Sequence, residues 1–330
     1  MPTYLAQIAP QRSTQYAELA TDLAPQELFL SPAGEHLTRM EIIELGGQEY
    51  LQFDLEIEIN ADLIREVNML AMTGMLFAYY DRIGEVSGPL LRPIEPLFTP
   101  VFPPEMVEAR RYRGKTNEMF THFLCNLARF SSAHAHKSWD KLRLFDPLAG
   151  GGTTLLTALM LGAEVSGIEK DEKAVETTVS FIKQFTREAR IPSRHRDDKL
   201  KNVGRRWWFE LGPASTRCVI ARGETAQAPD FMYGLKKPHL IVTDLPYGIQ
   251  HQGDLNDLLR GGLPAWGAVL DEGGVLAFAW ESTRFPRDQM IALVENTGPF
   301  AVLNDPPYDQ LAHQVDRVIK QRDVIVAGRV

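Results

Sequence analysis

The stretch LFDPLAGGGTTLLTALMLGAEVSGIEKD, residues 144–171, decides how the rest of the chain is read. An apolar run ends in Asp146, a turn passes through Gly150-Gly151-Gly152, and a helix-forming run opens at Thr153. Glycine suits a turn that needs positive φ or that must let a ligand approach without a Cβ in the way. The helix start offers N–H groups without intrahelical partners. A second apolar run then ends in Glu169, where an acid can accept hydrogen bonds from both hydroxyls of a ribose. No Gly-Lys-Ser/Thr follows the turn, which sets aside a phosphate loop. The turn also lacks the GxGxxG spacing of a dinucleotide site.

Working outward, the chain from about residue 115 alternates helix and strand patterns. Helices are expected over 117–133, 153–162, 171–190, 254–270 and 286–297. Strands are expected over 142–147, 164–169, 216–221, 239–244 and 273–281, with closing strands at 300–304 and 322–328. Apolar strands alternating with amphipathic helices imply a mostly parallel sheet covered on both faces, a Rossmann-like doubly wound α/β fold. A basic insertion, 190–217, holds eight Arg/Lys against three acids with Trp207-Trp208 inside it. It reads equally as a grip on RNA or as a solvated hairpin at the sheet edge.

The N-terminal part differs in charge. Residues 1–110 hold six Arg, no Lys and seventeen Asp/Glu, a net of −11, within a chain of 330 residues whose net charge is −8. The first lysine is Lys115. This break divides the chain into an acidic α+β region, 1–110, and a larger domain, 111–330. Phosphate would be repelled by the first and could approach only the second. Within the first, helices are expected over 1–30 and 63–83, and a hairpin over 40–59 turning at Gly46-Gly47. A surface linker is expected over 88–106, which holds six prolines.

No stretch approaches the roughly 18–20 apolar residues of a membrane span, and the N-terminus lacks a basic leader with an apolar core. A cytoplasmic protein without membrane contact is expected. Cys125 and Cys218 sit in apolar runs without CxxC spacing, so neither disulfide nor zinc is expected. His134, His136, His251 and His313 show no metal spacing either.

The acidic entrance Asp146-Pro147 repels a pyrophosphate and suits a cofactor with a cationic amine, which points to S-adenosylmethionine. A second motif stands at the end of a later strand, Val242-Thr243-Asp244-Leu245-Pro246-Tyr247-Gly248. There Asp244 and the Pro246 carbonyl can accept the hydrogens of an exocyclic base amine, while Tyr247 stacks on the base. Both motifs lie at carboxyl ends of strands, where open α/β sheets bind ligands. A later match, Asn304-Asp305-Pro306-Pro307-Tyr308, is expected to be a turn.

DPLAGGGTT and DLPYG resemble motifs of class I S-adenosylmethionine-dependent methyltransferases that modify base amines. With YRGKTNEMFTHFLCNLA, the set resembles the tRNA guanine-N2 methyltransferases and their bacterial relatives over about 110–330. The resemblance implies that Asp146, Ala149, Gly150, Gly152 and Thr153 line the methionine end of the cofactor. It implies Glu169 and Lys170 at the ribose, and Gly223-Glu224-Thr225 at the adenine. Lys115-Thr116-Asn117 would close the site near the cofactor carboxylate, with Asp244 between cofactor and base. Leu245, where DNA adenine methyltransferases carry proline, favours RNA guanine. Two other readings stay open: a DNA adenine-N6 methyltransferase, and a non-catalytic S-adenosylmethionine-binding module. The acidic N-terminal region would serve a protein partner or dimerisation.

Overall fold

The computed structural model describes residues 1–10, 18–112, 114–201, 203–246, 252–315 and 320–330, the side chains of 252–254 excepted. They form two compact units, Met1–Thr99 with Asn304–Arg322, and Pro100–Leu303 with Asp323–Val330. Residues 100–110, which the charge count groups with the N-terminal part, thus pack with the second unit.

The first unit contains β1 (Thr3–Ile8), α1 (Leu19–Leu30), β2 (Leu37–Leu45), β3 (Gln48–Leu55), α2 (Ala61–Asn68), β4 (Thr73–Ile83) and β5 (Val86–Pro93). Its antiparallel sheet has the order β2-β3-β1-β4-β5. The Gly46-Gly47 hairpin is present, with both glycines at positive φ (61° and 78°) and Leu45 paired with Gln48. Three expectations are corrected. Residues 3–8 form the central strand, because Tyr4, Leu5 and Ala6 are buried while the segment pairs with a strand on either side. The helix over 63–83 stops at Asn68, and its second half becomes β4. A continuous apolar run does not distinguish a buried strand from a helix, and the aromatic stretch Phe77-Ala78-Tyr79-Tyr80 favours the strand. The proline-rich linker begins as a strand, β5, which tolerates Pro89 and Pro93 because it lies at the sheet edge.

One carboxylate fixes the break between α2 and β4. Glu27 is 1% exposed, and its two oxygens accept the backbone N–H groups of Ala71 and Met72, each at 2.9 Å.

The second unit runs α3 (Glu105–Glu108), α4 (Glu118–Phe130), β6 (Arg143–Asp146), α5 (Thr153–Leu161), β7 (Glu164–Glu169) and α6 (Glu172–Glu188). It continues with the hairpin β8 (Ser193–Leu200) and β9 (Gly204–Leu211), then β10 (Thr216–Arg222), α7 (Ala228–Phe231), β11 (Leu240–Asp244) and α8 (Gln252–Val269). β12 (Val275–Glu281), α9 (Arg287–Thr297) and β13 (Phe300–Leu303) follow. After β14 (His313–Gln314) in the first unit, β15 (Gln321–Arg329) enters the second at Asp323. The sheet order is β13-β15-β12-β11-β6-β7-β10-β9-β8. Strands β10, β7, β6, β11 and β12 are parallel, whereas the two ends of the sheet carry antiparallel pairs. This is the doubly wound arrangement expected from the sequence. Chain order reverses between β6 and β11, and such a switch point opens a crevice at the carboxyl ends of the strands. Phe145, Ile241 and Phe278 from the strands and Trp266 from α8 pack into a core behind that crevice.

Replacing Glu27 by Ala orphans two buried N–H groups, at about 1–3 kcal/mol each. We expect Glu27→Ala to lose at least about 2 kcal/mol of unfolding free energy in chemical denaturation. Glu27→Gln, which keeps one acceptor, should lose less. Equal stability of all three proteins would remove the carboxylate from this role.

Candidate active site

A cleft of about 610 Å³ opens at the carboxyl ends of β6, β7, β10 and β11, all within the second unit. That volume suits a drug-sized or cofactor-sized ligand. At its floor, Asp146 is 2% exposed and accepts hydrogen bonds that include those from the Leu148 N–H (3.0 Å) and the Thr243 hydroxyl (2.8 Å). Burial pushes its carboxyl up to about 7, against the opposing pull of hydrogen bonds from Thr243, Leu148 and Thr154.

The glycine turn is closed on itself. The Ala149 N–H donates to the Ile168 carbonyl (2.8 Å), Gly150 N–H to Glu169 Oε2 (2.9 Å), and Gly152 N–H to the Ala149 carbonyl (2.7 Å). With the Leu148 N–H on Asp146, four amides of the turn face protein acceptors. Two carboxylates stand beside them. The turn therefore does not cradle an anion as a phosphate loop does, and it suits a ligand presenting hydroxyls and positive charge. Glu169 Oε1 accepts the Asp171 N–H at 2.7 Å. A carboxylate has about four acceptor sites, so Glu169 staples the turn with capacity left for ribose hydroxyls.

Ala149, Gly150, Thr153, Glu169 and Lys170 line the cleft, and Lys170 is exposed. Gly152 does not line it. Its φ of 88° begins α5, and a Cβ there would meet the Thr178 methyl at 2.9 Å, so its role is to set the turn. Gly223, Glu224 and Thr225 form the next wall. The Gly223 N–H donates to the Glu169 carbonyl (3.0 Å), and the Thr225 hydroxyl accepts from the Trp266 indole (2.8 Å), which ties this loop to α8. Glu224 is exposed at the rim.

Asp244, Leu245 and Pro246 complete the cleft on the β11 side. Asp244 Oδ2 accepts the Thr116 hydroxyl at 2.6 Å, so Thr116 is held on Asp244. Its neighbours behave otherwise than expected. Lys115 Nζ turns to the Val107 carbonyl (2.7 Å) and the Glu118 carboxylate, away from the cleft lining, and Asn117 caps α4 by accepting the Phe120 N–H (3.0 Å). Tyr247, Gly248 and His251 lie outside the described residues. Asn304-Asp305-Pro306-Pro307-Tyr308 packs with the first unit, as a turn leading into a short 3-10 helix, Tyr308–Gln310.

Two site residues escaped the sequence reading. Arg110 Nε donates to the Gly151 carbonyl (3.2 Å), and its Nη2 donates to the Thr177 and Thr178 hydroxyls (3.2 and 3.0 Å). The guanidinium lies 5.4 Å from the Tyr112 ring centroid and 5.3 Å from that of Phe181. The Tyr112 hydroxyl is 2.5 Å from Thr153 Oγ1, and a Cβ at Gly151 would come within 2.3 Å of the Tyr112 ring. The middle glycine thus makes room for a protein side chain that borders the cleft. Tyr112 stands in the quoted YRGKTN run, but nothing in spacing alone shows that it folds back onto the turn.

His134, His239 and Asp271 gather near the opposite ends of β6 and β11, with ligand atoms within 4.8 Å of one another. His239 Nδ1 accepts the Arg143 N–H (3.0 Å), which commits that nitrogen to the backbone. Burial pushes His239 down to about 4, so it stays neutral. Cys125 and Cys218 are buried free thiols.

No family model matches this chain, and no curated protein matches it. Among solved structures it is similar to TrmN from Thermus thermophilus, at 13% identity over 100% of both chains with a TM-score of 0.49. It is also similar to the rRNA methyltransferase aviRa from Streptomyces viridochromogenes (14% identity, 68% of this chain and 89% of that one, TM-score 0.41). A third is magnesium protoporphyrin IX methyltransferase from Synechocystis PCC 6803 (10% identity, 68% and 90%, TM-score 0.41). At these scores the likenesses decide nothing about the substrate.

The raised Asp146 carboxyl makes stability depend on pH. Between its ordinary value of 3.8 and about 7 the folded protein holds a proton that the unfolded chain has released. This contribution therefore falls as pH rises across that window, by up to about 1.4 kcal/mol per unit. We expect the unfolding free energy of the wild type to fall relative to that of Asp146→Asn between pH 4 and 7. Parallel pH profiles would contradict the burial of that charge.

Proposed function

We propose that this chain binds S-adenosylmethionine in the cleft and transfers its methyl group to an exocyclic amine of an RNA base. Guanine N2 of tRNA is the target that the sequence resemblance implies. The observation that carries the reading is the convergence of two motifs on one cleft: the closed, acid-flanked glycine turn and Asp244-Leu245-Pro246 at the end of β11.

The residues fit the cofactor. Asp146 offers buried negative charge to a cationic amine, Glu169 can accept from ribose hydroxyls, and Gly223-Glu224-Thr225 can flank the adenine. When bound, the cofactor supplies an activated methyl group on sulfur, which leaves as a neutral thioether. The protein then has little covalent work to do, and positioning dominates. Asp244 accepts a hydrogen of the base amine and aims the nitrogen lone pair at the methyl carbon. The Thr116 hydroxyl holds one Asp244 oxygen and so fixes the carboxylate's orientation. The Pro246 carbonyl would accept the second amine hydrogen, and Tyr247 would stack on the base. The amine that receives the methyl group would shed one proton, which Asp244 would hold or pass to water.

Two tests separate binding from chemistry. Hydrogen bonds to a charged acceptor contribute about 1.5–3 kcal/mol each, so Glu169→Ala should weaken S-adenosylmethionine binding at least tenfold. Unchanged affinity in calorimetry would remove Glu169 from the site. Asp244→Ala should cut turnover by orders of magnitude with far less change in cofactor affinity, because the interaction matters chiefly in the transition state. Asp244→Asn, which keeps an acceptor oxygen, should retain more activity. Asp305→Ala should leave turnover nearly intact. A folded Asp244→Ala protein with normal methyl transfer, or a dead but folded Asp305→Ala protein, would reassign the catalytic loop.

A further inference from the structure

The basic insertion that the sequence left undecided is a two-stranded hairpin, and its place in the sheet bears on what it can do. β8 forms the open edge of the second unit's sheet and pairs only with β9 among the described residues. Each acid of β8 is answered across the hairpin: Asp197 by Arg205 (2.8 Å) and Asp198 by Arg206 (2.7 Å). Asp198 also accepts the Trp208 indole N–H at 2.8 Å. That leaves Arg194, Arg196, Lys199 and Lys201, all exposed, with no carboxylate in ion-pair range among the described residues. The Arg196 guanidinium lies 4.3 Å from the Trp208 ring centroid, and Arg206 lies 4.8 Å from it. Arg205 lies 4.9 Å from the Trp207 centroid. Both indoles are partly buried, and as consecutive strand residues they lie on opposite faces of the hairpin. Guanidinium-backed aromatic rings beside exposed cations are the elements with which proteins hold single-stranded nucleic acid.

Register ties this surface to the cleft. Arg205 of β9 is paired with Arg222 of β10, the residue before Gly223 in the cleft wall, and Lys199 of β8 is paired with Arg205. The end of the hairpin bearing Lys199, Lys201 and Arg205 therefore lies at the ligand-binding end of the sheet. From β7 to β8 is three strand spacings, about 15 Å at about 4.8 Å each. A base in the cleft and the backbone of its neighbours on the hairpin are thus compatible. Charges on an edge strand also block sheet-to-sheet association, but that role needs neither the tryptophans nor lysines at the cleft end.

We propose that the β8–β9 hairpin is the surface on which the phosphate backbone of the RNA substrate rests while its target base enters the cleft. The proposal rests on the RNA reading of the cleft, yet it concerns binding and can be read without methyl transfer.

The test uses the full chain carrying Arg194→Gln, Lys199→Gln and Lys201→Gln together, none of which lines the cleft. Unfractionated tRNA is the probe, and affinity is measured across salt concentrations. Each phosphate contact contributes about 0.7–0.9 to the slope of log affinity against log salt. We expect the triple variant to lose about two units of slope and at least tenfold in affinity at low salt, with S-adenosylmethionine binding unchanged by calorimetry. Wild-type slope and affinity in the variant, with or without new self-association, would overturn the hairpin's role. So would a wild-type protein that binds no tRNA, or that binds duplex DNA as tightly as tRNA through the same three residues. Loss of cofactor binding in the wild type would instead refute the reading of the cleft, leaving the salt slopes to judge the hairpin separately.

Discussion

The buried carboxylate of Asp146 is the constraint around which the second unit is organised. A charge at 2% exposure is costly unless hydrogen bonds surround it, and here they come from two directions. The Leu148 N–H binds it from within the glycine turn, and the Thr243 hydroxyl binds it from the neighbouring strand β11. One side chain thereby fixes the turn after β6 and brings the end of β11 alongside it. Asp244, one residue beyond Thr243, inherits its position from that bond. The two halves of the cleft are coupled through a single acid whose carboxyl is pushed up to about 7. Positive charge placed against it would draw it back toward ionisation, so the floor of the cleft is poised for a cationic ligand.

The rest of the cleft follows the same electrostatic logic. The amides that a phosphate-binding turn would present to its ligand are occupied by Ala149, Ile168, Glu169 and Asp146 themselves. Arg110 binds the Gly151 carbonyl and the α6 hydroxyls, which commits its donors to the protein. Asp146 and Glu169 stand at the turn itself, with Lys170 at the exposed side of the cleft, whereas a larger group of cations lies on the hairpin at the sheet edge. On the proposed reading, a cationic cofactor and a polyanionic substrate would be drawn to different parts of one unit.

The strand–helix alternation, the glycine turn and Glu169 were legible because each is written in a contiguous run with its own period or composition. Ala149, Gly150, Thr153, Glu169, Thr225 and Asp244 reach the cleft because carboxyl ends of parallel strands converge at a switch point, a rule that needs no coordinates. The failures have a common cause. Residues 69–80 form a mostly apolar run, and only pairing of β4 with β1 and capture of the Ala71 and Met72 amides by Glu27 decide that much of it is strand. Tyr112 and Arg110 meet the glycine turn from a distant part of the chain, so no local pattern announces them. Lys115 has the reach to face a ligand, yet it turns to the Val107 carbonyl and Glu118, a choice among rotamers that sequence does not express. Gly152 is expected at the cofactor site because glycine is ambiguous: the backbone needs it for its φ of 88°, and it does not line the cleft.

The proposed role of Asp244 is to present an exocyclic amine to an activated methyl group. The measurement that tests it most directly is nucleoside mass spectrometry of RNA after incubation with the purified protein and isotopically labelled S-adenosylmethionine. The expected result is label on an exocyclic nitrogen of a base, with guanosine methylated at N2 as the leading product. Label found on a ring nitrogen, a ring carbon or a ribose oxygen would contradict the role given to Asp244, and label found in DNA alone would contradict the substrate.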